Sequence, residues 1–302
     1  SVNQDPCTHH TLPQKFTYFS SIHAALAHSV FDVAHLALTS SETPAVNAEL
    51  QESKAGSRKL PPFLCLSNGV ANEPALAGVL GTDNVIAGTV TSAIGRQEAG
   101  DILVERLRGV GVGATHPVSV ELTREMNSAG LNAQLFPKAQ DMKWSKMLTN
   151  LIANASSAIL DMPPTDIFGN PRLYQLEIDQ LRETLAVMHA LNINTVDLPG
   201  TPVRLLALAI SKLPLAISRP FLKKAVGSGR GGKMPSFHID LHSGRGKSEV
   251  DYLNGAVVRA GQETGIPTPV NQVLTETLLS LTNGETQISQ FARQPEELLK
   301  LL

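Results

Sequence analysis

Cysteine, aromatic residues and net charge are all scarce in this sequence, and each shortage excludes a class of protein. Two cysteines, Cys7 and Cys65, in 302 residues cannot make a disulfide framework or a four-cysteine zinc site. Cys65 lies in the apolar run Phe63-Leu64-Cys65-Leu66 and reads as a small buried hydrophobe. Aromatics make up 4% of the chain, too few for a stacking platform, and a formal net charge of -2 gives no field to draw nucleic acid or an anionic membrane. No apolar run reaches the ~18 residues of a membrane span. The first residues, Ser1 to Thr11, are polar and do not read as a signal peptide. A cytoplasmic protein is the expectation, with a small molecule rather than nucleic acid or membrane as its partner.

What remains is an ordinary globular composition, 42% hydrophobic and 17% charged, at a length that suggests two domains. Up to Lys138, short apolar runs alternate with helical patterns. Strands are predicted at Lys15–Phe19, Asp32–Leu38, Phe63–Leu66, Val85–Thr91 and Asn132–Phe136, with Ile102–Arg108 and Gly109–Gly113 as a pair. Helices are predicted from Ser20 or Ser21 through His28, over Pro74–Leu80 and over Thr123–Ala129. Strands alternating with helices argue for an open α/β sheet. Beyond Pro137 the pattern is helical: Trp144–Leu160, Leu173–Ala190, Pro202–Lys212, Ser248–Thr264 and Asn271–Leu281. The domains are therefore drawn as 1–138 and 139–302.

The segment from Trp144 is the most informative. Met147, Leu148, Leu151, Ile152, Ala155 and Ile159 form one apolar helix face, while Lys146, Asn150, Asn154 and Ser157 share the other. A solvent face would carry several charges. This one carries one lysine and two amides, which suits either a polar ligand in a partly dry cleft or a buried helix seam with its amides bonded to neighbouring backbone. A lysine shielded from water can serve as a general acid, and most lysines are solvated instead. Further on, Glu249 follows Ser248 at the start of its predicted helix, where the helix dipole favours a carboxylate and where it could also orient an ammonium.

Three glycine or histidine patterns are set aside. Gly227-Ser228-Gly229-Arg230-Gly231-Gly232-Lys233 has phosphate-loop spacing but is followed by Met234, so the magnesium-binding hydroxyl is missing, and a flexible loop is expected there. Gly109-Val110-Gly111-Val112-Gly113 reads as a glycine-rich strand. His238-x-Asp240-x-His242 would converge on a metal only in a strand, and loop or helix is expected there, so no metal site is assigned.

Four stretches together resemble the ketopantoate reductase family. Trp144-Ser145-Lys146 with Asn150 and Asn154 is similar to the helix that opens that family's second domain. Ser248-Glu249-Val250-Asp251-Tyr252-Leu253-Asn254-Gly255 resembles its Thr/Ser-Glu-Ile/Val-Asp-Tyr-x-Asn-Gly signature. Gly265 to Asn271 resembles the ending that follows it, and Ser67-Asn68-Gly69 its Gln-Asn-Gly turn. The resemblance implies a Rossmann-like dinucleotide-binding domain followed by a helical domain of the 6-phosphogluconate dehydrogenase C-terminal type. It implies reduction of 2-dehydropantoate to pantoate with NADPH, in pantothenate biosynthesis. Lys146 would be the general acid and Glu249 its catalytic support. Asn150, Asn154 and Ser236 would bind substrate, Asn68 and Gly69 would lie at the cofactor, and a homodimer is compatible.

The sequence also departs from the family pattern. It opens with Ser rather than Met, and no Gly-x-Gly-x-x-Gly turn stands at its head, so it reads as starting inside the first domain. Thr39 occupies a position where the family often has lysine. Pro164 replaces an expected asparagine, and Asp240 to Glu249 is about one residue long, which Gly244 and Gly246 could absorb. These departures keep two alternatives open: a non-catalytic binding or regulatory relative, and a related 2-hydroxyacid dehydrogenase with another substrate.

Overall fold

The computed structural model describes residues 17–55, 60–98, 101–230, 234–244 and 246–302. The chain divides into two compact units. One comprises Ser1–Lys143 with Asp197–Thr201, and the other comprises Trp144–Val196 with Pro202–Leu302.

In the α/β unit the order is α1 (Ile22–His28), β1 (Ala34–Leu36), α2 (Thr43–Ala55), β2 (Phe63–Cys65), α3 (Asn72–Leu80), β3 (Val85–Val90), β4 (Ala93–Glu98), β5 (Asp101–Arg106), β6 (Val110–Gly113), α4 (Val118–Ser128) and β7 (Ala133–Phe136). Ser21 caps α1 as predicted, its Oγ accepting the Ala24 N–H at 3.0 Å. Five strands form one sheet in the order β1-β2-β3-β6-β7. β1, β2 and β3 are parallel, β6 is antiparallel to β3, and β7 is parallel to β6. Alternate side chains of each strand serve opposite faces. Phe63 and Cys65 pack with Leu50, Leu76 and Val79 beneath α2 and α3. Leu64 and Ile86 pack on the other face with Val112 and Met126. Both faces are thus covered, the usual condition of a parallel sheet.

Three expectations are corrected. The stretch at Lys15–Phe19 is not a strand over Thr17–Phe19, and Lys15 and Phe16 lie outside the described residues. The predicted pair at 102–108 and 109–113 does not pair with itself: β5 pairs with β4 in a separate two-stranded ribbon, while β6 joins the main sheet. Helix α2, absent from the sequence reading, buries Leu50 completely.

Glycine at 111 is a packing requirement. A Cβ there would stand 2.5 Å from the Met142 sulfur and 3.0 Å from Thr89, so β6 meets its neighbours through bare backbone. The glycine-rich reading of this strand therefore holds, and its glycines are spent on packing.

The remaining helices are α5 (Ala139–Leu151), α6 (Ala155–Leu160), α7 (Pro164–Gly169), α8 (Pro171–Ala190), α9 (Val203–Lys212), α10 (Leu215–Arg230), α11 (Ser236–His242), α12 (Asn254–Thr264), α13 (Pro269–Thr282) and α14 (Pro295–Leu299). The first turn of α5 lies in the α/β unit; the other helices and the rest of α5 build the helical unit. Pro164, Pro171 and Pro269 each open a helix, where a missing N–H costs nothing. The core of this unit holds Met147, Leu148, Leu151, Phe168, Tyr174, Ile178, Val257, Leu274 and Leu278. The loop expected at Gly227–Lys233 is helical through Arg230, within α10; residues 231–233 and Arg245 lie outside the description. No helix among the described residues is long and apolar enough to cross a membrane.

Candidate functional site

The helix predicted over Trp144–Leu160 is broken. α5 stops at Leu151, three residues turn, and α6 restarts at Ala155. Ala153 takes φ +48, a conformation that costs an L-residue about 1 kcal/mol or more and needs outside support. The support is Glu177 on α8, fully buried. Its carboxylate accepts the Ala153 N–H at 2.7 Å, the Ser156 hydroxyl at 2.5 Å and the Gln180 side-chain amide at 2.7 Å.

The break decides where the amides go. Lys146 and Asn150, four residues apart, lie half-buried on one face of α5. Asn154 comes after the turn and is buried, 4% exposed. Its Nδ2 donates to the Asn150 carbonyl at 3.1 Å and lies 3.3 Å from the Ser236 Oγ, while its Oδ1 accepts the Phe237 N–H at 3.1 Å. Asn154 therefore satisfies the first turn of α11 and brings Ser236, which is exposed, against the end of α5. Asn150, Asn154 and Ser236 form one polar chain, and Lys146 sits one turn before it.

Glu249, half-buried, precedes the short 3-10 turn Val250–Tyr252, and α12 begins only at Asn254. The helix predicted from Ser248 thus opens as a 3-10 turn, whose first N–H, of Val250, is accepted by Ser248 Oγ at 3.2 Å. Later residues of the signature stretch are structural. Asn254, fully buried, donates to Gln180 Oε1 at 3.1 Å and to Asn271 Oδ1 at 3.0 Å. Asn271 in turn donates to Glu183 Oε2 at 2.7 Å. Burial holds the Glu183 carboxyl above its ordinary range, against the opposing bonds from Asn271 and Val270. One polar network therefore ties α6, α8, α12 and α13 together.

Asn68 and Gly69 lie in the other unit, in the turn after β2, at the carboxyl end of that strand. The Asn68 carbonyl accepts Ser40 Oγ at 2.9 Å and Asn72 Nδ2 at 2.6 Å, and Gly69 takes φ +84. Thr39 uses both its N–H and its hydroxyl on Glu42 Oε2, at 2.9 and 2.8 Å, so this turn is closed by local bonds where the family pattern has a cation.

Lys143 and Glu177, both buried, and the half-buried Glu73 are charges that the sequence reading missed. Lys143 Nζ lies 2.7 Å from Glu73 Oε1 and donates to the carbonyls of Ser67, at 2.7 Å, and Gly88, at 3.2 Å, stitching the ends of β2 and β3 together. A signal for it existed, because Lys143 stands at the i−4 and i−8 positions of Met147 and Leu151, on the buried face.

A mixed α/β sheet unit and a helical unit together define a two-unit α/β-plus-helical architecture. Residues 138–281 match the family model described as ketopantoate reductase PanE/ApbA C terminal. The chain is 28% identical over 168 residues to a 2-dehydropantoate 2-reductase of Pyrobaculum aerophilum, spanning about half of each (56% of this chain, 53% of the relative). It is 23% identical over 231 residues to that of Streptococcus pyogenes, covering 75% and 69%. The ketopantoate reductase of Ralstonia eutropha superposes with a TM-score of 0.70 at 22% identity over 86% of this chain and 78% of that one. D-mandelate dehydrogenase bound to NADH and anilino(oxo)acetate follows at 0.66 and 19%, covering 84% and 76%. Residues 138–281 therefore form a domain of the ketopantoate reductase C-terminal type.

Proposed function

We propose that the protein reduces 2-dehydropantoate, or a similar 2-keto acid, to the 2-hydroxy acid with NADPH, as a cytoplasmic step of pantothenate biosynthesis. The observation that carries this reading is the half-buried pair Lys146 and Asn150 on α5, beside the contact of Asn154 with Ser236, in a unit whose sequence matches the family model. Lys146 holds an ammonium proton at a half-buried position and delivers it to the keto oxygen as that oxygen gains charge, with Glu249 orienting the ammonium. The Asn150 amide and the Ser236 hydroxyl bind the substrate's carboxylate and hydroxyls, while the buried Asn154 amide holds Ser236 in place.

The cofactor, when bound, supplies the hydride. Asn68 and Gly69 fit its nicotinamide end. The bonds from Ser40 and Asn72 fix the turn, and Gly69 presents no Cβ to a flat ring. No residue is assigned to its phosphates.

Thr39 favours a second reading, in which the chain binds a keto acid without reducing 2-dehydropantoate or acts on another 2-keto acid. Titration of the chain with NADPH and with NADH, followed by fluorescence with and without 2-dehydropantoate, separates these. Oxidation only when the keto acid is present supports the proposal. Binding without turnover favours the second reading. Lys146→Ala is expected to lower kcat by ~10²–10⁴-fold with the far-UV circular dichroism unchanged; undiminished turnover in that variant would sink the lysine's role. A homodimer is proposed as the working form, by analogy with a dimeric ketopantoate reductase of Staphylococcus aureus whose structure covers 85% of this chain at a TM-score of 0.63.

A further inference from the structure

We infer that Asp161, His238 and His242 form a divalent-metal site of the zinc type in the helical unit. The sequence pattern pointed to His238, Asp240 and His242, a set that converges only in a strand. The segment is instead helix α11. Four residues apart, His238 and His242 share a helix face, and Asp240 lies on another. The third donor comes from elsewhere in the sequence. Asp161 ends α6 at φ +47, ψ +48, and that left-handed turn sets its carboxylate beside the two imidazoles.

The geometry is that of a donor set. His238 Nε2 lies 2.8 Å from Asp161 Oδ1. The two imidazole rings stack with centroids 4.1 Å apart and planes 23° from parallel. One ligand atom from each of the three residues lies within 4.8 Å of the other two. Ligands around a tetrahedral zinc stand about 3.3 Å apart, given Zn–N and Zn–O bonds of about 2.0–2.2 Å. Closing the set therefore needs a shift on the order of 1 Å, and His242, exposed and bonded only weakly to the Ala158 carbonyl at 3.4 Å, is placed to make it. Two imidazoles and one carboxylate suit a borderline ion such as zinc, with water completing the shell.

The bond from His238 is the main cause of the Asp161 carboxyl lying below its ordinary range. Burial opposes that shift and the nearby Arg293 adds to it. Arg293, whose backbone N–H bonds the Leu160 carbonyl at 2.7 Å, is a nearby cation that would oppose a metal.

The site's consequence lies in the pairing of α6 with α11. Asn154 already ties the start of α6 to the start of α11 through Phe237 and Ser236. A metal at Asp161, His238 and His242 would tie their other ends, giving α11 a second anchor. The inference stands on these three residues and does not depend on the reaction proposed above.

Isothermal titration of the chelator-treated 302-residue chain with zinc chloride tests it, with cobalt(II) absorption as a second readout of coordination. The expected result is one zinc per chain, a cobalt spectrum of low coordination number, and at least ~10-fold weaker binding in His242→Ala. His242 is exposed, so that variant folds, and circular dichroism verifies it. His238→Ala and Asp161→Asn should weaken binding as well. Zinc should raise the Tm of the parent chain and not that of His242→Ala. An unchanged stoichiometry and affinity in His242→Ala would overturn the site, as would no zinc binding by the parent. The paired His9 and His10 make this variant, rather than binding alone, the deciding comparison.

Discussion

The thiol of Cys65 is fully buried in the β2 core, as the apolar run Phe63–Leu66 predicted. Burial, with the nearby Glu73 carboxylate adding to it and Lys143 opposing, pushes its pKa up to about 12. At neutral pH it is therefore almost wholly protonated, and the thiolate is the reactive form. In a Cys7→Ser background, native protein should give no reaction with an aromatic disulfide reagent, and one thiol per chain should appear in guanidinium. Rapid native labelling would contradict the burial. At this scale the placement of some candidate residues was legible. Lys146 and Asn150 stand on one half-buried face as their spacing required. The partners of Lys143 and Glu177 were not legible, because a charge on an apolar face announces its burial but not the partner that compensates it.

Among the elements, the break between α5 and α6 shows why pattern alone misleads. The apolar period runs on from Trp144 to Leu160, so the sequence predicts one helix. A carboxylate 24 residues away, at Glu177, turns the chain at Ala153 and re-aims Asn154 toward Ser236. Glu177→Ala would leave the Ala153 N–H, the Ser156 hydroxyl and the Gln180 amide without their acceptor inside the core. An unpaired buried group costs about 1–3 kcal/mol, so a loss of about 3 kcal/mol is expected, read as a lower urea midpoint. Glu177→Gln, which keeps one acceptor oxygen, should lose less. If Glu177→Ala unfolds at the parent's midpoint, the carboxylate does not hold the turn. The misread pairing of β5 has a related cause: β propensity marks where strands are and leaves the choice of partner to the rest of the sheet.

For the whole molecule, the proposed homodimer makes a demand on the surface. α9 turns Val203, Ala207 and Ile210 inward and leaves Leu205 and Leu208 64% and 54% exposed. On α10, Ile217 and Phe221 are 50% and 68% exposed. Exposed apolar side chains in such number are the kind of surface that association covers. Light scattering after gel filtration should return twice the 32.2 kDa chain mass, and Phe221→Asp should shift it toward the monomer. A parent chain that elutes as a monomer at micromolar concentration would remove the dimer from the proposal.

The sequence by itself determined the fold class, the order of an α/β stretch before a helical one, the family resemblance and the residue types of the candidate site. These depend on local spacing, composition and contiguous motifs, which a chain carries before it folds. Only the tertiary structure decided that the site helix is broken, that Asn254 belongs to a buried network, and that His238 and His242 meet Asp161 rather than Asp240. Each of those outcomes is set by groups distant in the chain, whose burial leaves every donor and charge in need of a partner that no local pattern specifies.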